Sequence, residues 1–149
     1  MREPTVAYWP AGIRDPGTVT QELGSTLDIF TTCVRLAGGE LPSDRVLDGV
    51  DLTPVLQGTG VSPRKTMFYY RGEELWAVRH GDYKAHYRSR PGYGRDKTES
   101  HNPPLLYNLQ HDPSETKNVA KAHSDVLELM QKVVDDHRAT LKEVPNQLH

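Results

Sequence analysis

Three short runs between Thr66 and Tyr87 constrain the fold of this chain more than any other feature. Thr66 to Tyr70 (TMFYY), Leu75 to Val78 (LWAV) and Tyr83 to Tyr87 (YKAHY) are aromatic or β-branched, and Arg71-Gly72-Glu73 and His80-Gly81-Asp82 separate them. Connections that short leave room only for hairpin turns, so consecutive strands must run antiparallel. A polar, glycine-bearing stretch from Ser89 to Asn102 reads as a loop whose length is usually explained by function or mobility. Leu105 to Leu109 (LLYNL) reads as a fourth strand, and Asp112-Pro113 opens the next turn. An amphipathic helix is expected from about Ser124 to Leu141. Leu127, Met130, Val133, Val134 and Leu141 share its apolar face, with Glu128, Lys132, Asp135 and Asp136 toward solvent. Four antiparallel strands packed with one helix make a small two-layer α+β unit.

The chain ahead of Thr66 has a different pattern. Thr5 to Trp9 (TVAYW), closed by Pro10, reads as a short buried strand. Ser25 caps a helix, with Asp28 as the reciprocal member of a capping box. Leu27, Phe30, Val34 and Ala37 fall on one face of that helix, and Gly38-Gly39 ends it. Strand then helix is the tail of an α/β layer. From Glu40 to Pro63 turns dominate, with one helical turn over Leu52 to Leu56. Val46, Leu47, Val50, Leu52, Val55 and Leu56 can pack, which makes this stretch a structured crossover. The expected organisation is the end of an α/β domain with its crossover at 1–63, then an antiparallel-sheet subdomain with a C-terminal helix at 64–149.

Composition narrows the function classes. The 149 residues suit one ordinary domain, or one small domain with a remnant of another. Apolar residues at 36% and charged residues at 26% give a soluble globular balance. A formal net charge of −2 offers no electrostatic argument for nucleic acid or an anionic membrane, and Arg88, Arg90 and Arg95 form only a modest basic cluster. No apolar run approaches the roughly 20 residues that span a bilayer. Met1-Arg2-Glu3-Pro4 leads into no apolar segment of the signal-peptide kind. The single cysteine, Cys33, excludes an internal disulfide and a thiolate-rich zinc site.

Nothing in the residues alone assembles an active site. The seven histidines (80, 86, 101, 111, 123, 137 and 149) lack His-x-x-x-His or zinc-finger spacing, so they are expected to be surface or hydrogen-bonded groups. Cys33 has no activating neighbours and is expected to be a buried structural thiol. Ser25 and Ser43 lack a nucleophile elbow. Glu73-Glu74 and Asp135-Asp136 read as solvated pairs, and Gly92-x-Gly94 is too short for a phosphate-binding loop and precedes no helix.

The order of short motifs carries more. Arg2-Glu3-Pro4 running into Tyr8-Trp9-Pro10 resembles an R-E-P…W-P-G segment, with Ala11 intruding before Gly12. Ser25 to Thr32 with Leu36-Ala37-Gly38 resembles S-x-x-D-[LI]-x-x-T…L-A-G. Leu41 to Arg45 with Asp48 to Leu52 resembles L-P-x-D-R…D-G-x-D-L. Phe68 to Gly72, Ala77-Val78-Arg79 and Tyr83 to His86 match a sheet-forming region. His101 to Tyr107 with Asp112 to Glu115 matches H-x-P-P-L-L-[YF]-x-L…D-P-x-E. Taken in order, these motifs resemble the C-terminal part of the formylglycine-dependent sulfatases, which are alkaline-phosphatase-like in fold. The F-T-T, P-S-D-R and F-Y-Y-R-G strings lean toward the N-acetylgalactosamine-6-sulfatase branch over the arylsulfatase A branch.

This resemblance implies a calcium-dependent hydrolase of sulfate esters, of sugar or aryl type, in a parent protein of a kind commonly exported, periplasmic or lysosomal. Such enzymes turn a cysteine in a C-x-P-x-R motif into formylglycine, and Ca²⁺ and basic side chains hold the sulfate. Cys33 is followed by Val34-Arg35-Leu36 and does not fit that motif. The family's calcium-binding acidic pairs and catalytic lysines are expected upstream of Met1, in a catalytic domain that would be this region's partner. No catalytic or metal residue is therefore carried over, and no cofactor is expected in this chain. His101 in the H-x-P-P motif, with Asn102 beside it, is the candidate substrate contact; its alternative role is to close the loop before two prolines. Two other readings remain open here: a stand-alone, non-catalytic binding or interaction module, and a piece of a related phosphate or phosphonate ester hydrolase.

Overall fold

The computed structural model describes residues 3–90, 92 and 97–141. Arg2, Gly94, Arg95 and His149, singled out above, lie outside the described residues. The chain divides into two compact units, Met1–Lys65 and Thr66–His149.

In the first unit, residues 5–9 form no strand ladder, contrary to expectation. Val6 is 94% and Tyr8 89% exposed. A strand is held by a neighbour's N–H and C=O groups, and among the described residues no such neighbour pairs with this run. Its β-propensity is real, but propensity without a ladder does not make a strand. Helix α1 spans Leu27–Leu36 and helix α2 spans Thr53–Leu56. Ser25 N–H donates to the Asp28 carboxylate at 2.8 Å and Ser25 Oγ accepts from Leu27 N–H at 3.3 Å, so both arms of the expected cap are present. Gly38 takes a left-handed φ of 71°, and Gly39 N–H donates back to the Val34 carbonyl at 2.9 Å, which closes α1.

The faces of α1 are inverted relative to the usual pattern. Asp28, Thr31 and Thr32, spaced three and four apart, are its buried residues, while Leu27, Ile29, Phe30 and Leu36 are 40–60% exposed. The polar face is buried because the segment around Gly49 lies directly on it: a Cβ at Gly49 would come within 2.3 Å of the Leu27 carbonyl oxygen. Thr32 Oγ1 accepts from Leu52 N–H at 3.0 Å. Among the described residues, nothing in the unit covers the exposed Leu27, Ile29, Phe30 and Leu36.

The second unit is a four-stranded sheet in the order β1 (Thr66–Arg71), β2 (Glu74–His80), β3 (Tyr83–Ser89), β4 (Glu99–Asn108), antiparallel throughout. Gly72 (φ 60°) and Gly81 (φ 57°) each occupy the first of two loop positions, where a type II′ hairpin requires positive φ. The register shifts between Tyr69 and Tyr70: Tyr69 faces Ala77 but Tyr70 faces Leu75, so Trp76 is the extra residue of a bulge. Strand β4 starts at Glu99, inside the stretch expected to be loop, because β3 continues to Ser89 and supplies partners for Glu99 and Ser100.

Phe68, Val78, Ala85 and Leu106 stand opposite one another across the four strands and pack with Leu75, Ala120, Met130 and Val134. Met130 and Val134 come from helix α3 (Ser124–Thr140), one turn apart on the face turned to the sheet. Leu141, expected on that face, follows the last helical residue and is 52% exposed. The short 3₁₀ turn Ala120–Ala122 is tied to β4: Asn118 Oδ1 accepts from both Leu106 and Ala120 N–H, each at 3.0 Å.

Candidate functional site

Alternation along the strands leaves a second sheet face away from α3. Met67, Arg79, Lys84 and Tyr107 form one cross-strand row on it, and Tyr69, Ala77, His86 and Leu105 form the next. Glu115, from the turn after β4, reaches over these rows. Its Oε1 accepts from Lys84 Nζ at 2.7 Å and its Oε2 lies 2.6 Å from His86 Nε2. Lys84 is almost fully buried, and its ammonium also sits 4.9 Å from the Tyr69 ring centroid. Burial alone would raise the Glu115 carboxyl. The His86 and Lys84 hydrogen bonds, with the charges behind them, outweigh it and lower the pKa to about 2. Glu115 is thus a carboxylate, and His86 Nε2 carries the proton of their bond. The cost of this arrangement is visible in the backbone, where Glu115 holds a φ of 57°. Burial, then the charges of Glu115 and Asp112, push the Tyr107 phenol up.

The turn bearing Glu115 is built before it reaches the sheet. The Asp112 carboxylate accepts from Thr116 and Lys117 N–H at 2.8 and 2.7 Å, and from the Thr116 hydroxyl at 3.0 Å. The D-P-x-E spacing therefore has a mechanical reading: Asp112 shapes the turn and Glu115 fastens it. Sequence reasoning read Asp112-Pro113 as a turn and Asp112 to Glu115 as a family motif, without a partner for Glu115. The available signal was Lys84 and His86 at i and i+2 on one strand, which puts both on one face with a single acidic partner.

In the first unit the corresponding centre is Asp28, which is fully buried. It accepts from Ser25 and Val50 N–H, both at 2.8 Å, and from Arg64 through both Nε (2.9 Å) and Nη2. Arg64 Nη2 also donates to the Asp48 carbonyl at 2.8 Å. Burial would raise the Asp28 carboxyl; the Arg64 hydrogen bond, the two backbone donors and the guanidinium charge hold it below its ordinary range. Its role as a capping residue was legible, its role as the hub joining three segments was not.

His101 sits on β4, half-buried, with Nε2 2.8 Å from Ser89 Oγ on β3. Asn102 is exposed beside it and precedes a cis bond to Pro103. The Ser89 contact fixes the imidazole and leaves Nδ1 as the ring atom for a further partner. The other histidines divide between structural roles. His80 bonds Thr66 at 2.8 Å, and His137 stacks on Phe68 with ring centroids 3.7 Å apart and bonds the Tyr70 hydroxyl at 2.9 Å. Cys33 is exposed, contrary to the expected buried thiol, because α1 buries its Asp28–Thr32 side and Cys33 points elsewhere. Among the described residues no group of three or more His, Cys, Asp or Glu could hold a metal ion. The residues after Cys33, Val34-Arg35-Leu36, do not fit the motif for formylglycine formation. No described helix is long and apolar enough to cross a membrane.

A small antiparallel sheet backed by one helix, following a helix-and-crossover unit, defines a class of C-terminal α+β region. Residues 62–149 match the family described as the C-terminal region of aryl-sulfatase, and the chain belongs to that family. It is 42% identical to arylsulfatase A of Bos taurus over 85% of this chain, and 38% identical to N-acetylgalactosamine-6-sulfatase of Canis lupus familiaris over 99%. Those alignments take in 27% and 32% of the two relatives, so the chain spans about a third of their length. Among solved structures, the PsFucS1 sulfatase from Pseudoalteromonas sp. superposes on 95% of this chain with a TM-score of 0.78 and 31% identity, using 30% of its own length.

Proposed function

We propose that this chain serves as the C-terminal region of a sulfuric ester hydrolase, completing the fold of an upstream catalytic domain and forming part of the substrate-pocket wall. The observation that carries this reading is the inverted burial of α1. Leu27 and Phe30 on one flank of α1, and Ile29 and Leu36 on the other, are exposed apolar groups on a helix whose Asp28–Thr32 side is already buried, and exposed apolar surface of that extent calls for another protein layer. The exposed Val6 and Tyr8, on a segment with strand-forming composition and no ladder, call for the same partner.

In this proposal the upstream domain supplies formylglycine and Ca²⁺, which provide nucleophilic attack at sulfur and charge stabilisation of the transferred group. The relatives' names, arylsulfatase and N-acetylgalactosamine-6-sulfatase, support an aryl or sugar sulfate ester as substrate. This chain contributes shape and one hydrogen-bonding edge. His101, held by Ser89, offers Nδ1, and Asn102 offers its amide, as substrate contacts that carry no catalytic step.

Two substitutions test this in the enzyme comprising the catalytic domain and this chain. His101→Ala is expected to lower kcat/KM for the preferred sugar sulfate about tenfold, the scale of one lost hydrogen bond to a bound substrate. An unchanged kcat/KM on every substrate tried would remove His101 from the pocket wall. Phe30→Glu is expected to weaken association of the two parts, seen as separation on gel filtration when they are produced as two chains. Undiminished co-elution would contradict the proposed cover over α1.

A further inference from the structure

The ladder between β3 and β4 breaks at the H-x-P-P motif. His86 pairs with Leu105 and Arg88 with Ser100, so Tyr87 alone on β3 faces His101, Asn102, Pro103 and Pro104 on β4. Neither proline has an N–H to give a ladder, and a strand with surplus residues bends and re-aims their side chains. Asn102 and Pro103 are exposed, and His101 stands half-buried at the start of the bulge. The strand ends beside it are held on both sides. Ser89 pairs with Glu99, Arg88 Nη1 meets Glu74 Oε1 of β2 at 2.5 Å, and Arg90 Nη2 donates to Thr98 Oγ1 at 3.3 Å. Ser89 Oγ, on this braced end of β3, is 2.8 Å from His101 Nε2.

The Ser89 bond can set which ring nitrogen carries the proton. An imidazole turns broadly about its last side-chain torsion, so a ring without support presents either nitrogen in either tautomer. A hydroxyl seeks an acceptor for its proton, and among the described residues His101 Nε2 is the one acceptor bonded to Ser89 Oγ. We infer that Ser89 Oγ–H donates to Nε2, which leaves the proton of the neutral ring on Nδ1 and makes Ser89 the positioning residue of this edge. The bulge gives His101 its aim and the braced end of β3 gives it a fixed tautomer. This rests on the reading of His101 as a substrate contact and adds to it what the contact selects: Nδ1–H donates, so it takes an acceptor oxygen of the substrate and rejects a group that can only donate.

The test is a double-mutant cycle in the enzyme comprising the catalytic domain and this chain. Ser89→Ala is expected to raise KM for the preferred substrate roughly threefold to tenfold with kcat unchanged, the scale of one weakened hydrogen bond to bound substrate. Ser89→Thr, which keeps the hydroxyl, should restore KM, and an unchanged melting midpoint would show each variant folded. In the His101→Ala background Ser89→Ala should add nothing, because it acts only through the ring. With isotopically labelled histidine, nitrogen shifts should place the proton of the neutral His101 ring on Nδ1, and on both nitrogens in Ser89→Ala; the signals lost in His101→Ala assign the ring. A wild-type proton on Nε2 would overturn the inference, as would a Ser89→Ala effect that persists without His101. Wild-type KM in Ser89→Ala, with His101→Ala still defective, would overturn it too and leave His101 in the pocket wall. Wild-type kinetics in His101→Ala would remove His101 itself, and this inference with it, without touching the family assignment.

Discussion

Asp28 fastens the first unit and Glu115 the second by the same means, a carboxylate desolvated among donors that favour its charged form. Glu115 has its folded pKa depressed from 4.5 to about 2, so its contribution is fully present above about pH 4.5 and is lost as pH falls toward 2. That contribution is on the order of 2–3 kcal/mol at neutral pH. Glu115→Gln is expected to lower stability by about that amount at pH 7 and to flatten the loss between pH 5 and pH 2. Denaturant midpoints of the two proteins across that range check it; parallel curves would contradict the assignment. For Asp28 the pKa is also lowered, and the sign is the same: stability present above the ordinary carboxylate range fades below it. Asp28→Asn leaves Arg64 buried without its carboxylate, and a loss of about 3–5 kcal/mol in the first unit is expected. A midpoint unchanged from wild type would show that the guanidinium is resolvated there.

The elements were legible in the sequence to different degrees. Strands β1–β3 and helix α3 follow from local signals, since two-residue turns with glycine fix the pairing and a 3.6-residue apolar period fixes the helix face. Thr5–Trp9 carried an equally good strand signal but formed no ladder, because pairing is not a local property. Helix α1 shows the same limit in another form: its ends were marked by Ser25, Asp28 and Gly38, yet which face the unit buries depended on Gly49 folding back onto it after the turns that follow Leu36. The His101–Ser89 contact and the early start of β4 escaped for a like reason, since a polar stretch becomes strand only through its neighbour. At this scale Met130→Ala should cost about 2–4 kcal/mol, because the side chain is fully buried between α3 and the sheet. Leu129→Ala, on the exposed side of the same helix, should cost less than about 0.5 kcal/mol. Thermal melts of the two variants distinguish a packed helix from one laid loosely on the sheet.

For the molecule as a whole, the family membership and the share of its relatives that the chain spans set the expectation. The second unit has its own core, and in the first, among the described residues, Leu27, Ile29, Phe30 and Leu36 of α1 are exposed. On its own the chain is therefore expected to self-associate, and Leu27→Glu with Phe30→Glu is expected to return it to a monomer in sedimentation. The motif order in the sequence was enough to point to the sulfatase family, because several motifs are pieces of structural hardware: the capping box, the D-G-x-D-L contact on α1, and the D-P-x-E turn that Lys84 and His86 fasten. It did not reveal how the pieces touch, since Asp28 to Arg64 and Lys84 to Glu115 are long-range pairs.

The central proposal is that this region completes a sulfatase without performing its chemistry. The most direct measurement is calcium-dependent hydrolysis of an aryl sulfate by three samples: this chain alone, the upstream catalytic domain alone, and the two combined. Turnover only in the combined sample is the expected result. Turnover by this chain alone, or full activity of the catalytic domain without it, would contradict the claim.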